Sequence, residues 1–311
     1  RKLCLQENAI DFWCLQVSEP EKQQELICRY RSKNTAPIAY GWVTGGFTLM
    51  LTPSHNQQLT RQGMIEQALR QVDIEHEFSL VFQPVIDLRS RRTVAFEALA
   101  RWSSPALGDV PPGQFIPIAE RIGLINRLTI HLLGKALLIA SDWPRHICLS
   151  FNLSTHDCAS DEIAGQIIEI IKASHFDARR LDLEITETAI MQDVVKVQHT
   201  IDRFCRLGCG VALDDFGTGY SSLSQLLSLV LTKIKIDRTF VAGIDENPTS
   251  YKIVKSLVAL SSDMQLECIA EGVETREELE TLISLGCFFV QGYYFSHPMH
   301  HSHIDDWLKD N

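Results

Sequence analysis

No apolar run in the 311-residue sequence reaches the roughly 18 residues that a membrane-crossing helix needs. No signal-peptide pattern opens it, and Arg1 stands first instead of Met, as expected of a cytoplasmic segment taken from a longer protein. Basic residues are scarce. The 29 Lys and Arg against 39 Asp and Glu leave a net charge of −10, which argues against gripping nucleic acid through a general basic surface. That balance is compatible with sites rich in metal-binding carboxylates. The nine cysteines contain no CxxC pair. Cys205 and Cys209 lack further partners for a thiolate metal site, so free thiols of a reducing compartment are expected.

Hydrophobic content of 45% and charged content of 22% are ordinary for a soluble globular chain. The length suits one large α/β domain and a smaller piece. Residues 1–62 read apart from the rest, as a partial upstream regulatory module or linker segment with no chemical constellation. In it, 10–15 reads as a strand, 19–31 as a helix after Pro20, and 37–53 as a hairpin around Gly45 and Gly46. A helical pattern follows over 61–77, with Ile65, Ala68, Leu69 and Val72 on one face.

Residues 63–311 then alternate. Apolar strand-like runs fall at 78–86, 94–100, 147–153, 181–185, 211–213, 233–236, 266–270 and 288–290. Helical patterns at 124–143, 161–173, 194–207, 250–261 and 276–285 separate most of them. This order predicts an α/β fold, a modified (β/α)8 TIM-like barrel. The first two runs are joined by DLRSRR, too short for a helix, so they predict a hairpin and one antiparallel strand in the barrel.

The stretch VALDDFGTGYSSL, residues 211–223, carries the densest chemistry. Successive strand side chains point to opposite faces, so Asp214 and Asp215 splay apart unless a cation draws both inward. An acidic surface turn is the plainer reading of the same residues. The rest of the chain favours the cation. Glu97, Asn152, Glu184 with Glu187, Asp214 with Asp215, Lys235 with Asp237, Glu271 with Glu274, and Gln291 fall late in or just after successive strands. In a barrel these positions converge on the C-terminal mouth. An all-oxygen set suits Mg2+ or Mn2+ over Zn2+. Two such ions bridged by a carboxylate hydrolyse phosphate esters. His297, His300, His301 and His303 fall outside this pattern and read as tail residues.

The strings FQPVIDL, FEALARW, FNLS, LEITET, LDDFGTGYSSL, IKIDRTFV, IAEGVET and VQGYYFSHPM, in that order, resemble the motifs of the EAL family of cyclic-di-GMP phosphodiesterases over about residues 64–311. The resemblance implies hydrolysis of cyclic di-GMP to linear pGpG with two Mg2+ or Mn2+ ions. It implies that Glu97, Asn152, Glu184 and Asp214 hold the first ion. Asp214 would bridge, Asp215 would help hold the second, and Glu271 would stand beside it or the attacking water. Lys235 would bind that water or the phosphate, and Glu187 would order the loop after Asp215. Leu99, Arg101, Asp237 and Gln291 would face the substrate, with Glu274 completing the site.

One departure stands out. In LLSLVLT, 226–232, Val230 and Thr232 replace the Pro and Asp more usual in the family. The change leaves the metal ligands alone and bears on dimer behaviour. The apolar 224–231 segment suggests a homodimer, coupled through the loop after Asp215 to residues 1–62 and an upstream sensory domain. The Gly-Gly-Asp/Glu-Glu-Phe string of the diguanylate cyclases often fused to this family is absent. Two other readings stay open: a catalytically silent cyclic-di-GMP receptor, and a scaffold barrel.

Overall fold

The computed structural model describes residues 53–217 and 229–310, with three short strands before them. The chain divides into two units, Arg1–Ala68 and Leu69–Asn311. In the first, β1 (Gln6–Glu7), β2 (Ile10–Gln16) and β3 (Leu26–Arg31) form an antiparallel sheet in that order. Strand β2 matches the expectation at 10–15. The helix expected over 19–31 is corrected at its end, because Leu26–Arg31 pairs along β2 from Gln16↔Leu26 to Asp11↔Arg31. Long-range pairing outweighs a weak local charge pattern there. The hairpin read at 37–53 lies outside the described residues, as does most of the 217–230 segment.

In the second unit, ten strands form one sheet: β4 (Phe78–Asp87), β5 (Arg92–Ser104), β6 (Gly108–Val110), β7 (Cys148–Leu153), β8 (Leu181–Thr186), β9 (Gly210–Phe216), β10 (Lys233–Ile236), β11 (Glu267–Ala270), β12 (Phe289–Val290) and β13 (Met299–His300). Eight close on themselves in the order β4-β12-β11-β10-β9-β8-β7-β5, with β4 pairing back onto β5. From β5 round to β12 every neighbour is parallel. Strand β4 runs against both its neighbours, as the DLRSRR connection required. Strands β6 and β13 extend the outer edges of β5 and β4.

Period-two alternation sorts each barrel strand into two faces. Leu181, Leu183 and Ile185 on β8, Val211 and Leu213 on β9, and Ile234 and Ile236 on β10 are fully or almost fully buried. They provide the apolar face for the helices Asp161–Ala173, Val194–Leu207 and Pro248–Asp263, which bury Ile167, Ile201 and Val254 in turn. The intervening residues, Asp182 and Glu184, Lys233 and Lys235, are polar. They face the barrel interior: Lys235 on β10 reaches Glu97 on β5, across the width of the ring.

At the end where β8 and β10 begin, Lys233 pairs with Asp182 at 3.2 Å and Glu267 at 2.7 Å. Gly210 is needed there, because a side chain would strike the Asp182 carboxylate. A helix at Pro112–Arg121 escaped the sequence pattern. Pro112 fits the first helical turn, and burial of Phe115, Ile118 and Ala119 offsets the internal Pro117.

Candidate active site

The two aspartates are brought together by a break in register. Strand β10 pairs with β9 as Lys233↔Ala212 and Ile234↔Leu213, then jumps to Ile236↔Phe216. The extra residue is a bulge, a device that re-aims a side chain. Asp215 takes φ 54°, a left-handed conformation that Asp tolerates better than most residues, and Gly217 follows at φ 97°. The splay expected of neighbouring strand residues is thereby cancelled. Oxygens of Asp214, Asp215 and Glu271 lie within 4.8 Å of one another.

Lys235 stands among the remaining acids, its side chain 1% exposed. Its Nζ lies 2.6 Å from Glu271 Oε1, 2.7 Å from Glu184 Oε2, 3.2 Å from Asp214 Oδ1 and 3.4 Å from Glu97 Oε2. Burial opposes its charge, yet Asp214, Glu184, Glu271 and Glu97 together hold its pKa well above the usual lysine value. The acids divide. Burial and the charge of Glu97 push Glu184 well above the carboxylate range. Burial raises Glu271 to about 8, and burial with the charges of Asp214 and Asp237 raises Asp215 to about 6. Burial works against Glu97 too, but Lys235, Gln291 and Asn152 keep it below its usual value.

Amides and a hydroxyl fix the carboxylates. Asn152 Nδ2 donates to Glu97 Oε1 at 2.7 Å, and Gln291 Nε2 donates to Glu97 Oε2 at 2.7 Å. Ser150 donates to Glu184. Gln291 also donates to Gln83 Oε1 at 3.1 Å, and Gln83 donates to the Ser296 carbonyl. Asp214 Oδ1 and Gln291 Oε1 are buried acceptors with no hydrogen bond among the described residues. Asp214 Oδ1, held by no hydrogen bond and facing the Lys235 ammonium at 3.2 Å amid other hard oxygens, fits a Mg2+- or Mn2+-type ion.

Two clefts open at this cluster and share Glu97, Leu99 and Asp214. One, about 220 Å³, is lined by Gln83, Arg238, Glu271, Glu274 and Tyr293 among others. The other, about 370 Å³, runs along Asn152 and Asp215 to an apolar wall that includes Phe115 and Leu128. A larger groove of about 690 Å³ beside Glu75 and His131 holds none of these acids, so convergent charge and not volume marks the site.

The other expected residues are placed as follows. Asp237 caps the turn Arg238–Val241, accepting from Thr239 N at 2.9 Å. Glu187 is buried in the first turn of Glu187–Gln192, and the loop it was expected to order lies outside the described residues. Arg101 lines neither cleft, and its guanidinium donates to the Ala100 carbonyl at 2.8 Å. The His300 and His301 rings meet at a tilt of 43°, centroids 4.0 Å apart, in the exposed tail. Four site residues escaped the sequence reading: Gln83, Ser150, Arg238 and Tyr293. Gln83 alone carried a signal, as a lone amide in the apolar run FSLVFQPVI.

The raised acids imply a pH dependence. A carboxyl whose folded pKa exceeds its unfolded value holds its proton in the folded chain and releases it on unfolding, so stability falls as pH rises between the two values. For Glu271 that window runs from 4.5 to about 8. His131 and His301 are depressed by burial and act in the opposite sense up to their ordinary value of 6.5, and Cys268, lowered by its hydrogen bond with Cys287, does so below 9, while Glu184, raised like Glu271, adds to the fall. In chelator, the melting temperature should therefore fall between about pH 6.5 and 8.5. Mn2+ should reverse the fall. Scanning calorimetry in matched buffers checks it, and a flat or rising profile would refute the assignment of Glu271.

A family model described as EAL domain matches residues 63–298. Oxygen sensor protein DosP of Escherichia coli is 34% identical over 262 residues, covering 83% of this chain and 33% of that protein. Cyclic di-GMP phosphodiesterase PA2567 of Pseudomonas aeruginosa is 34% identical over 241 residues, covering 76% of this chain and 41% of that one. The chain thus spans well under half the length of these relatives. Among solved structures, PaMucR phosphodiesterase in complex with c-di-GMP superposes with a TM-score of 0.74 at 31% identity, over 78% of this chain and 99% of that one.

Proposed function

The chain belongs to the EAL domain family, and from that premise we propose that it hydrolyses cyclic di-GMP to linear pGpG with two Mg2+ or Mn2+ ions. The observation that carries the reading is a charge count at one place. Once their protons give way to incoming ions, Glu97, Glu184, Asp214, Asp215 and Glu271 against Lys235 would leave four negative charges, which two divalent ions neutralise. Glu97, Asn152, Glu184 and Asp214 would hold the first ion. Asp214 would be shared with the second, held by Asp215 with Glu271 alongside. Such ions polarise a phosphoryl oxygen and make a bound water acidic enough to attack.

The chain's own groups do the rest. Lys235 supplies positive charge to the attacked phosphate. Leu99 and Glu274 would hold the dinucleotide at the cleft walls, with Arg101 and Asp237 reaching it from outside both clefts. Gln291 and Asn152 keep the Glu97 carboxylate oriented for its ion. A homodimer through the segment after Asp215, an upstream sensory unit and a cytoplasmic setting belong to the same reading. Val230, exposed in this segment between the buried Leu229 and Leu231, supports the dimer, and sedimentation of the purified chain tests it.

The deciding experiment incubates purified protein with cyclic di-GMP and Mn2+ and resolves pGpG by chromatography. Product should form with Mg2+ or Mn2+ and fail to form with Ca2+, whose longer bonds of about 2.3–2.6 Å suit tight two-ion positioning poorly. Full activity in excess chelator would refute the metal requirement. Binding of the dinucleotide without product would make the chain a receptor instead.

A further inference from the structure

We infer that Lys235 is the resident counter-ion of the carboxylate cage, holding it together while no divalent ion is bound and competing with the first ion that enters. The inference rests on the two-ion reading above. Glu97, Glu184, Asp214 and Glu271 come from β5, β8, β9 and the end of β11, so nothing local ties them together. Among the described residues Lys235 is the cation paired with each of them, and no other Lys or Arg pairs with any of the four. Three of the four are the carboxylates proposed for the first ion. Lys235 therefore stands where positive charge is required in either state.

Buried acids stripped of their cation are costly to hold together. An ammonium at 2.6–3.4 Å from four carboxylates meets that need before a metal arrives. The same contacts set a cost on metal entry, because a divalent ion must draw those oxygens away from Nζ or sit against a like charge. Once the oxygens turn to the ion, the ammonium is released toward the phosphate. Lys235 acts here as a positioning residue for the metal ligands, apart from any contact with substrate.

The test uses Lys235→Met, which keeps the length of the side chain and removes its charge. In chelator the melting temperature of this variant should fall by roughly 10 °C. Calorimetric titration should show the tightest Mn2+ binding about tenfold stronger than in the unaltered chain. Saturating Mn2+ should close most of the gap in melting temperature. Lys235→Arg, which keeps the charge, should melt in chelator nearer to the unaltered chain than the Met variant does. The double variant Lys235→Met/Asp214→Asn removes one charge of each sign and should melt in chelator above the single Met variant.

A purely structural lysine would lower the melting temperature equally with and without Mn2+ and would leave affinity alone, overturning the inference. Mn2+ binding in Lys235→Met that matches or falls below the unaltered chain would overturn it too, as would a double variant less stable than the single. If the Met variant folds only with Mn2+ present, its unfolding on chelation is the same expected result. An unaltered chain that takes up no Mn2+ would remove the two-ion reading instead, and the chelated melting temperatures of the single and double variants would then decide the part of Lys235 alone.

Discussion

Glu97→Ala and Asp214→Ala should each lower turnover of cyclic di-GMP by about a thousandfold or more, while leaving a folded chain. Removing a direct ligand of a catalytic ion withdraws several kcal/mol of charge stabilisation from the transition state, and each ~1.4 kcal/mol is tenfold in rate. Glu97 is the more connected of the two. It accepts from Asn152 and Gln291, lies 3.4 Å from Lys235 Nζ and lines both clefts. Its loss strips one charge from the cage and leaves two amides without their acceptor. Asp214 carries a buried oxygen that faces the Lys235 ammonium at 3.2 Å and no hydrogen-bond donor, so its loss removes an acceptor placed for a cation. Lys235→Ala should instead lose rate while retaining its ions. Initial rates with Mn2+ calorimetry on the same samples separate these cases. A Glu97→Ala variant with a near-normal rate would take the end of β5 out of the metal site.

The barrel was legible because strand and helix periods are local properties of the chain. Runs read at 181–185 and 233–236 appear at Leu181–Thr186 and Lys233–Ile236, and helices read at 161–173 and 194–207 appear with those bounds. The antiparallel β4 was legible from loop length alone. The short helices Thr155–Cys158, Glu187–Gln192 and Arg238–Val241 were not, since four to six residues show no period. Their capping residues, Ser154, Thr186 and Asp237, are visible in sequence only once the strand ends are known.

At the site, the list of acids could be read from their positions at strand ends, but their arrangement could not. The bulge at Asp214 and Asp215 depends on how β10 registers against β9, a long-range property. The closeness of Lys235 to four acids depends on barrel closure. A lysine alternating with isoleucine in KIKI reads equally well as a solvent-facing strand residue.

Gly292→Ala should cost about 3 kcal/mol or more, seen as a melting temperature lower by roughly 8 °C. Gly292 follows β12, next to Gln291 and beside the smaller cleft. A methyl group there would run into the Val273 backbone, at its nitrogen, carbonyl carbon and oxygen. That backbone is pinned. Val273 N donates to the Gln291 carbonyl at 3.1 Å, Tyr294 N donates to the Val273 carbonyl at 2.9 Å, and Gln291 N donates to the Ala270 carbonyl at 2.9 Å. No side chain can swing aside, so the chain segments must part and these bonds must lengthen. Gln291 moves with them, and with it the amide that holds Glu97. A displacement of about 1 Å is enough to cost roughly a hundredfold in rate.

Gly134→Ala is the matched control. Gly134 lies inside the helix Ile125–Ala140 with nothing near its added carbon, so alanine should stabilise by about 0.5–1 kcal/mol and leave turnover unchanged. Neither glycine has a positive φ, so the contrast isolates contact from backbone conformation. Thermal unfolding of both variants with their initial rates reads the difference. Equal melting temperatures would show that the chain after β11 and the chain after β12 part freely, and the placement of Gln291 by that packing would have to be abandoned.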